Sequence, residues 1–257
     1  MGLLLAVDIG NTNITIGSFD LKSPQVLLDE IRLGTDLRRT QDEYEILLQT
    51  FFSHRVKEKI EKIALSSVVP PLTPLFVKAL ERVTHTKVLQ IESTGDFPVK
   101  CNVDDPRSVG ADRVVNVYAA KACYSVPGII VDFGTATTFD VVNDLGEYEG
   151  GIIAPGLQLS VNALVTHAAK LPRFELAWTE KVIGKNTIQH MQSGAVRGYV
   201  AMVDGLIEQI MTELPSPPSV ILSTGGLGEL ISKHSKYISK HDAALTLKGL
   251  SLLAILN

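Results

Sequence analysis

Short apolar runs broken by small-residue turns alternate along this chain with stretches in which apolar residues recur every three or four positions. The first kind reads as buried strands and the second as helices with one apolar face. Residues 4–20, LLAVDIGNTNITIGSFD, form an apolar run that ends in an Asp, a turn rich in Gly, Asn and Thr, and a second β-branched run. Residues 129–144, IIVDFGTATTFDVVND, repeat that grammar with Asp132 standing where Asp8 stands, 132 − 8 = 124 residues later. A second echo follows each copy: IALSSVVPP at 63–71 and VILSTGGLG at 220–228 are apolar strands that run into Ser/Thr-rich turns. Helical spacing is clearest over 194–214, where Val196, Tyr199, Val200, Val203, Leu206, Ile207, Ile210 and Leu214 share one face. Weaker versions cover 41–52, 73–83, 157–169 and 243–256.

Repetition at about half the chain length predicts a duplicated α/β architecture with the active site in a cleft between the halves. The change from helix to strand near Pro127-Gly128 sets the expected domains at 1–118 and 119–257. At 257 residues, with 45% hydrophobic and 20% charged residues, the chain has enough apolar side chains for two cores.

A formal charge of −4 without any Lys/Arg-dense stretch argues against a nucleic-acid or anionic-membrane surface and favours a small-molecule substrate. Cys101 and Cys123 lack the spacing of a zinc site or disulfide framework, so reduced thiols in a cytoplasmic protein are expected. The apolar run after Gly2 is too short for a signal peptide or a membrane span. There is no GxxxxGK[ST] loop, no HRD/DFG pair, no HExxH and no GxSxG, which removes the commonest NTPase, protein-kinase, zinc-peptidase and hydrolase readings.

The two Asp turns are the places where chemistry is expected. Gly10 allows a tight backbone approach, Asn11 and Thr12 offer donors to phosphate oxygens, and Asp8 offers a hard oxygen for Mg²⁺. The same residues also suit a plain β-hairpin. Asp132 to Thr138 form a smaller, hydroxyl-rich copy, and the glycine pair of Ser223-Thr224-Gly225-Gly226 would let an adenine or ribose lie flat against backbone, though an ordinary αβ turn has the same residues. In Gly110-Ala111-Asp112-Arg113 a carboxylate and a guanidinium follow a glycine turn, as an alcohol kinase with an anionic substrate needs; taken in isolation, a helix start with a favourable Asp fits better.

Taken in order, DIGNTN (8–13), DPRSVGADR (105–113), DFGTATTFD (132–140), GGIIAPGL (150–157), AKLPR (169–173), IGKNT (183–187), SGAVRGY (193–199) and TGG (224–226) resemble the type III pantothenate kinases over nearly the whole chain. That resemblance implies two RNase H-like domains of the actin/Hsp70/sugar-kinase fold. It also implies ATP-dependent phosphorylation of the pantothenate 4′-hydroxyl at the entry to coenzyme A biosynthesis, in a cytoplasmic homodimer using Mg²⁺ and a monovalent cation, K⁺ or NH₄⁺. By position it implies that Asp8, Ile9, Gly10, Asn11, Thr12, Asn13, Ile14 and Thr15, with Thr135, line ATP, and that Asp8 lies near Mg²⁺. Gly110, Ala111, Asp112, Arg113 and Thr187 would hold pantothenate, Asp112 would be the base and Asp132 would bind K⁺. An Asp112 of ordinary pKa is expected to serve. A Tyr common in the family seven residues before the Gly of GADR is replaced here by Val103.

Overall fold

The computed structural model describes residues 2–92 and 98–256 and divides into two units, Met1–Cys123 with Ala244–Asn257, and Tyr124–Ala243.

In the first unit β1 (Gly2–Ile9), β2 (Asn13–Asp20) and β3 (Ser23–Gly34) form an antiparallel meander, followed by α1 (Gln41–Arg55), β4 (Lys59–Ser67), α2 (Thr73–Thr84), β5 (Val88–Gln90) and α3 (Ala111–Cys123). The sheet order is β3-β2-β1-β4-β5, with β4 parallel to β1 and β5 parallel to β4. Because β1 is central, both of its faces are buried, and it reads as an unbroken apolar run rather than an alternating one. Leu5, Val7 and Ile9 meet Tyr44, Leu48, Phe76 and Leu80 of α1 and α2. Leu4 and Ala6 point the other way and pack with Val115 of α3 and with Leu247, Leu250 and Leu253. By the two-residue period of a strand Asp8 lies on this second face. α1 opens with a capping box in which Thr40 and Glu43 exchange side-chain and backbone hydrogen bonds, an arrangement worth about 1 kcal/mol.

In the second unit β6 (Gly128–Phe133), β7 (Ala136–Val142) and β8 (Tyr148–Pro155) form another meander. After α4 (Leu157–His167) come α5 (Thr187–Gln192), a π-helical turn (Ser193–Arg197) and α6 (Gly198–Glu213), then β9 (Val220–Thr224), α7 (Gly228–Ser232) and β10 (Lys240–His241). The order β10-β9-β6-β7-β8, with β9 parallel to β6 and β10 parallel to β9, is that of the first sheet with each strand replaced by its counterpart. Ile129, Val131 and Phe133 face Leu157, Val161, Val196, Tyr199, Val203 and Ile207. Asp132 alternates to the opposite side.

The last helix, α8 (Leu245–Leu256), returns to the first unit, where Lys62 Nζ donates to Ala254 O at 2.9 Å. Gly249 lies against α3 so closely that a Cβ there would sit 2.6 Å from Val115 O. The expected boundary at 118/119 assigns α8 and the end of α3 to the second half; the contacts group both with the first. An apolar periodicity marks α8 as a helix but does not say which sheet it covers.

Candidate active site

At the end of β1, Gly10 N–H donates to Asn13 O at 2.9 Å, closing the turn into β2. Ile9 and Ile14 anchor it in the core, while Asn11, Thr12 and Asn13 are exposed. A side chain from beyond β3 fastens this turn: Thr35 Oγ1 donates to Gly10 O at 2.6 Å and Thr35 N–H to Thr12 O at 3.0 Å. Asp8 pairs in register with Thr15 on one side and Ser66 on the other. Ser66, buried to 1% exposure, donates its hydroxyl to Asp8 Oδ1 at 2.7 Å. The turn thus presents exposed amide and hydroxyl groups around one oriented, partly buried carboxylate. Among the described residues no cluster of three or more His, Cys, Asp or Glu side chains is placed to hold a metal. A hard carboxylate held in this way fits Mg²⁺, which takes most of its ligands from phosphate and water.

Asp132 occupies the matching lattice position in the second sheet, between Thr138 and Thr224. Gly134 and Thr135 are exposed at the tip of its turn. Two glycines from elsewhere press against this turn. Gly225 has φ +85°, and a Cβ on it would lie 2.6 Å from Asp132 Oδ1 and 2.7 Å from Phe133 C. Gly156, the residue before α4, lies against the Gly134 and Thr135 carbonyls, where a Cβ would approach Gly134 O to 2.8 Å. Tyr199 completes the support: its hydroxyl bonds Thr137 Oγ1 at 2.5 Å and donates to Pro155 O at 3.1 Å. Gly225 therefore serves the turn rather than an open platform, and Gly226, with nothing within 4 Å of a built Cβ, is the glycine open to solvent.

The GADR segment starts α3. Asp112 Oδ1 accepts Arg113 N–H at 2.9 Å, and a Cβ on Gly110 would come to 2.5 Å from that same oxygen. Gly110 is thus the residue that leaves room for the carboxylate. Burial raises the pKa of Asp112 above the ordinary carboxylate value, and the Arg113 N–H and guanidinium charge only partly oppose it. The expectation of an ordinary pKa is corrected: desolvation outweighs the helix start and the neighbouring cation. Just upstream, Asp105 caps the short turn Pro106–Ser108 by accepting Arg107 N–H at 3.1 Å. Val103 is partly buried.

Thr187, the first residue of α5, is exposed and follows Asn186, whose Oδ1 accepts Gln189 N–H at 2.9 Å. Asp8 to Thr15 and Gly110 to Arg113 belong to the first unit; Asp132, Thr135 and Thr187 belong to the second.

A family model described as type III pantothenate kinase matches residues 4–209, four-fifths of the chain. The chain belongs to that family. Among curated relatives, type III pantothenate kinases of an Exiguobacterium species and of Myxococcus xanthus are each 44% identical over 253 residues, covering 98% of this chain and 98% and 97% of their own. Solved structures agree on the fold alone. A Baf family protein from Campylobacter jejuni has a TM-score of 0.60 at 18% identity, covering 98% of this chain and 96% of its own. A ROK family glucokinase from Streptomyces griseus, in complex with glucose and AMPPNP, has a TM-score of 0.54 at 13% identity with complete coverage of both chains. These neighbours place the paired α/β units in the sugar-kinase, actin-like fold.

Residues that carry no obvious chemistry in the sequence emerge as supports: Thr35, Ser66, Gly156 and Tyr199 hold the two turns. Gly156 and Tyr199 had a signal in their places within the GGIIAPGL and SGAVRGY segments, and Ser66 in the Ser-rich end of the 63–71 strand; Thr35 had none. Among the described residues no helix is long and apolar enough to cross a membrane.

Proposed function

We infer that this chain transfers the γ-phosphoryl group of ATP to the 4′-hydroxyl of pantothenate, the first step of coenzyme A biosynthesis, in the cytoplasm. The observation that carries the reading is Asp112, a desolvated carboxylate at the start of α3 beside Arg113, in a member of this family. The acceptor hydroxyl gives its proton to the Asp112 carboxylate as its oxygen bonds to the γ-phosphorus, and the bond to the bridging oxygen of ADP breaks. Phosphoryl transfer needs placement and charge neutralisation more than covalent help. A carboxylate with a raised pKa holds that proton better than an ordinary one. Arg113 meets the pantothenate carboxylate by a charge-assisted hydrogen bond, and Thr187 contributes a hydroxyl to the same substrate.

The exposed donors of Asn11 to Asn13, the flanking Ile14 and Thr15, and Thr135 are assigned to ATP. Asp8 is assigned to Mg²⁺, which neutralises phosphate charge when bound. Asp132 is assigned to K⁺ or NH₄⁺. Assembly as a homodimer is supported by a cavity of about 530 Å³ beside α4, α5 and the π turn, lined largely by apolar side chains, with Leu159, Leu164 and Ile188 exposed on those helices.

Coupled ATP turnover with pantothenate, against a panel of sugars and acyl acids in K⁺ and in Na⁺, tests the reading. Turnover confined to pantothenate and faster in K⁺ is expected; a sugar or acyl acid as the better acceptor overturns it. Sedimentation velocity tests the dimer, and a monomer at micromolar concentration removes it.

A further inference from the structure

Residues 168–186 join α4 to α5 without a helix or strand of their own, so their backbone carbonyls must find partners elsewhere. Those partners sit on one short stretch of helix. Gln192 Nε2 donates to Glu175 O at 3.0 Å and Ser193 Oγ to Val182 O at 2.6 Å. Arg197 does more: Nε donates to Thr179 Oγ1 at 3.0 Å, and one terminal nitrogen donates to both Thr179 O and Glu180 O, the latter at 3.1 Å. Its guanidinium also lies 4.0 Å over the ring of Trp178, which stacks on His234 at 3.8 Å and 6°. The π turn Ser193–Arg197 puts Ser193 and Arg197 on the same strap, and such turns concentrate at functional sites.

The strap gains little from burial at its downstream end, where Val182 and Ile183 are 67% and 75% exposed. Past that end the chain folds straight back onto α5. Lys185 N–H donates to Gln189 Oε1 at 2.8 Å, and His190 Nε2 bonds Gly184 O at 3.2 Å. A Cβ on Gly184 would lie 2.8 Å from His190 N, so the approach is as tight as backbone permits. Only Lys185 and Asn186 separate the last carbonyl held by a side chain, Gly184, from Thr187.

We propose that Arg197 is a positioning residue for the acceptor substrate: by gripping Trp178, Thr179 and Glu180 it fixes the strap, and through the strap the placement of Thr187. This rests on the assignment of Thr187 to pantothenate above. Lysine cannot replace it, because a single ammonium lacks the planar fork that serves a hydroxyl, two carbonyls and an indole face together.

Trp178 is the chain's single tryptophan, so its emission reports the strap directly. In Arg197→Gln the emission shifts to the red as the indole loses its cover, the KM for pantothenate rises about tenfold, and the KM for ATP and kcat stay within about twofold; Arg197→Lys does not restore the pantothenate KM. Thr179→Val removes one acceptor from the strap without altering the helix, and moves the same two readouts less far, which keeps the test open if Arg197→Gln does not fold. In the unsubstituted chain, pantothenate changes Trp178 emission, and Thr187→Val abolishes that change.

An unshifted emission in a folded Arg197→Gln protein overturns the proposal. So does a shifted emission with an unchanged pantothenate KM, or an equal rise in both KM values. Failure of the unsubstituted chain to phosphorylate pantothenate is the separate outcome that removes the functional reading itself.

Discussion

Replacing Asp112 by Asn separates what this side chain does for chemistry from what it costs the fold. The amide keeps the shape and an oxygen able to accept Arg113 N–H, now at 2.9 Å from Oδ1, so the start of α3 survives. It cannot accept the hydroxyl proton. Loss of a positioned base costs roughly 10²–10⁴-fold in rate, equivalent to about 3–5 kcal/mol in the barrier. We expect kcat to fall by that factor with the KM for ATP within twofold.

Stability should move the other way. The folded-state pKa of Asp112 is raised by burial, so the native protein binds this proton more tightly than the unfolded chain does. The group's contribution to stability is therefore most favourable below the unfolded value of about 3.9, falls as pH rises to the folded pKa, and stays at its lowest above it. Asn carries no charge to desolvate. The variant should melt higher than the unsubstituted protein at pH 7, and the gap should close as pH falls through the carboxylate range. Coupled ATP turnover and thermal melts over pH 4–8 measure both effects. A folded variant with kcat within threefold of the parent, or one that melts lower at pH 7, refutes the assignment of a desolvated base.

Gly225→Ala forces an L side chain to φ +85° and onto Asp132 and Phe133, which should lower unfolding free energy by about 1–3 kcal/mol in denaturant titrations; Gly226→Ala, with open space around it, should be close to neutral. Thr35→Val deletes the 2.6 Å bond to Gly10 O, worth about 1 kcal/mol, and should raise the KM for ATP about fivefold while sparing that for pantothenate. Replacing K⁺ with Na⁺ should slow turnover sharply, and Asp132→Asn should remove the difference between the two salts; a preserved difference would take the cation away from Asp132.

The repeat was readable because a strand buried on both faces leaves an uninterrupted apolar run, and because an Asp at its end followed by Gly has no reason to occur twice by packing alone. Both copies occupy equivalent register positions, Asp8 beside Ser66 and Asp132 beside Thr224. Helices at 41–52, 73–83, 157–169 and 243–256 match α1, α2, α4 and α8 within about three residues. The supports of the site were less visible. Gly156 and Gly225 matter through what approaches them from distant parts of the chain, 21 and 93 residues from Thr135 and Asp132, and no local pattern encodes that. The pKa of Asp112 depends on how much water the fold removes, which a sequence does not state. The 194–214 periodicity located the apolar face of α6 but not the π turn, since its apolar positions begin at Val196, inside that turn, and do not span it.

That widened turn limits what evolution or engineering can do to the rod formed by α5 and α6. One residue more or less in a regular α-helix rotates everything beyond it by about 100°. The widened turn already takes up one extra residue without that rotation, so a deletion on either side of it would turn one end of the rod against the other by roughly a quarter of a circle. Thr187 would then swing relative to the cavity wall formed by Gly194, Ala195 and Gly198. Point substitutions on this rod should be tolerated far more readily than insertions or deletions, and natural length variation should fall in 168–186 instead.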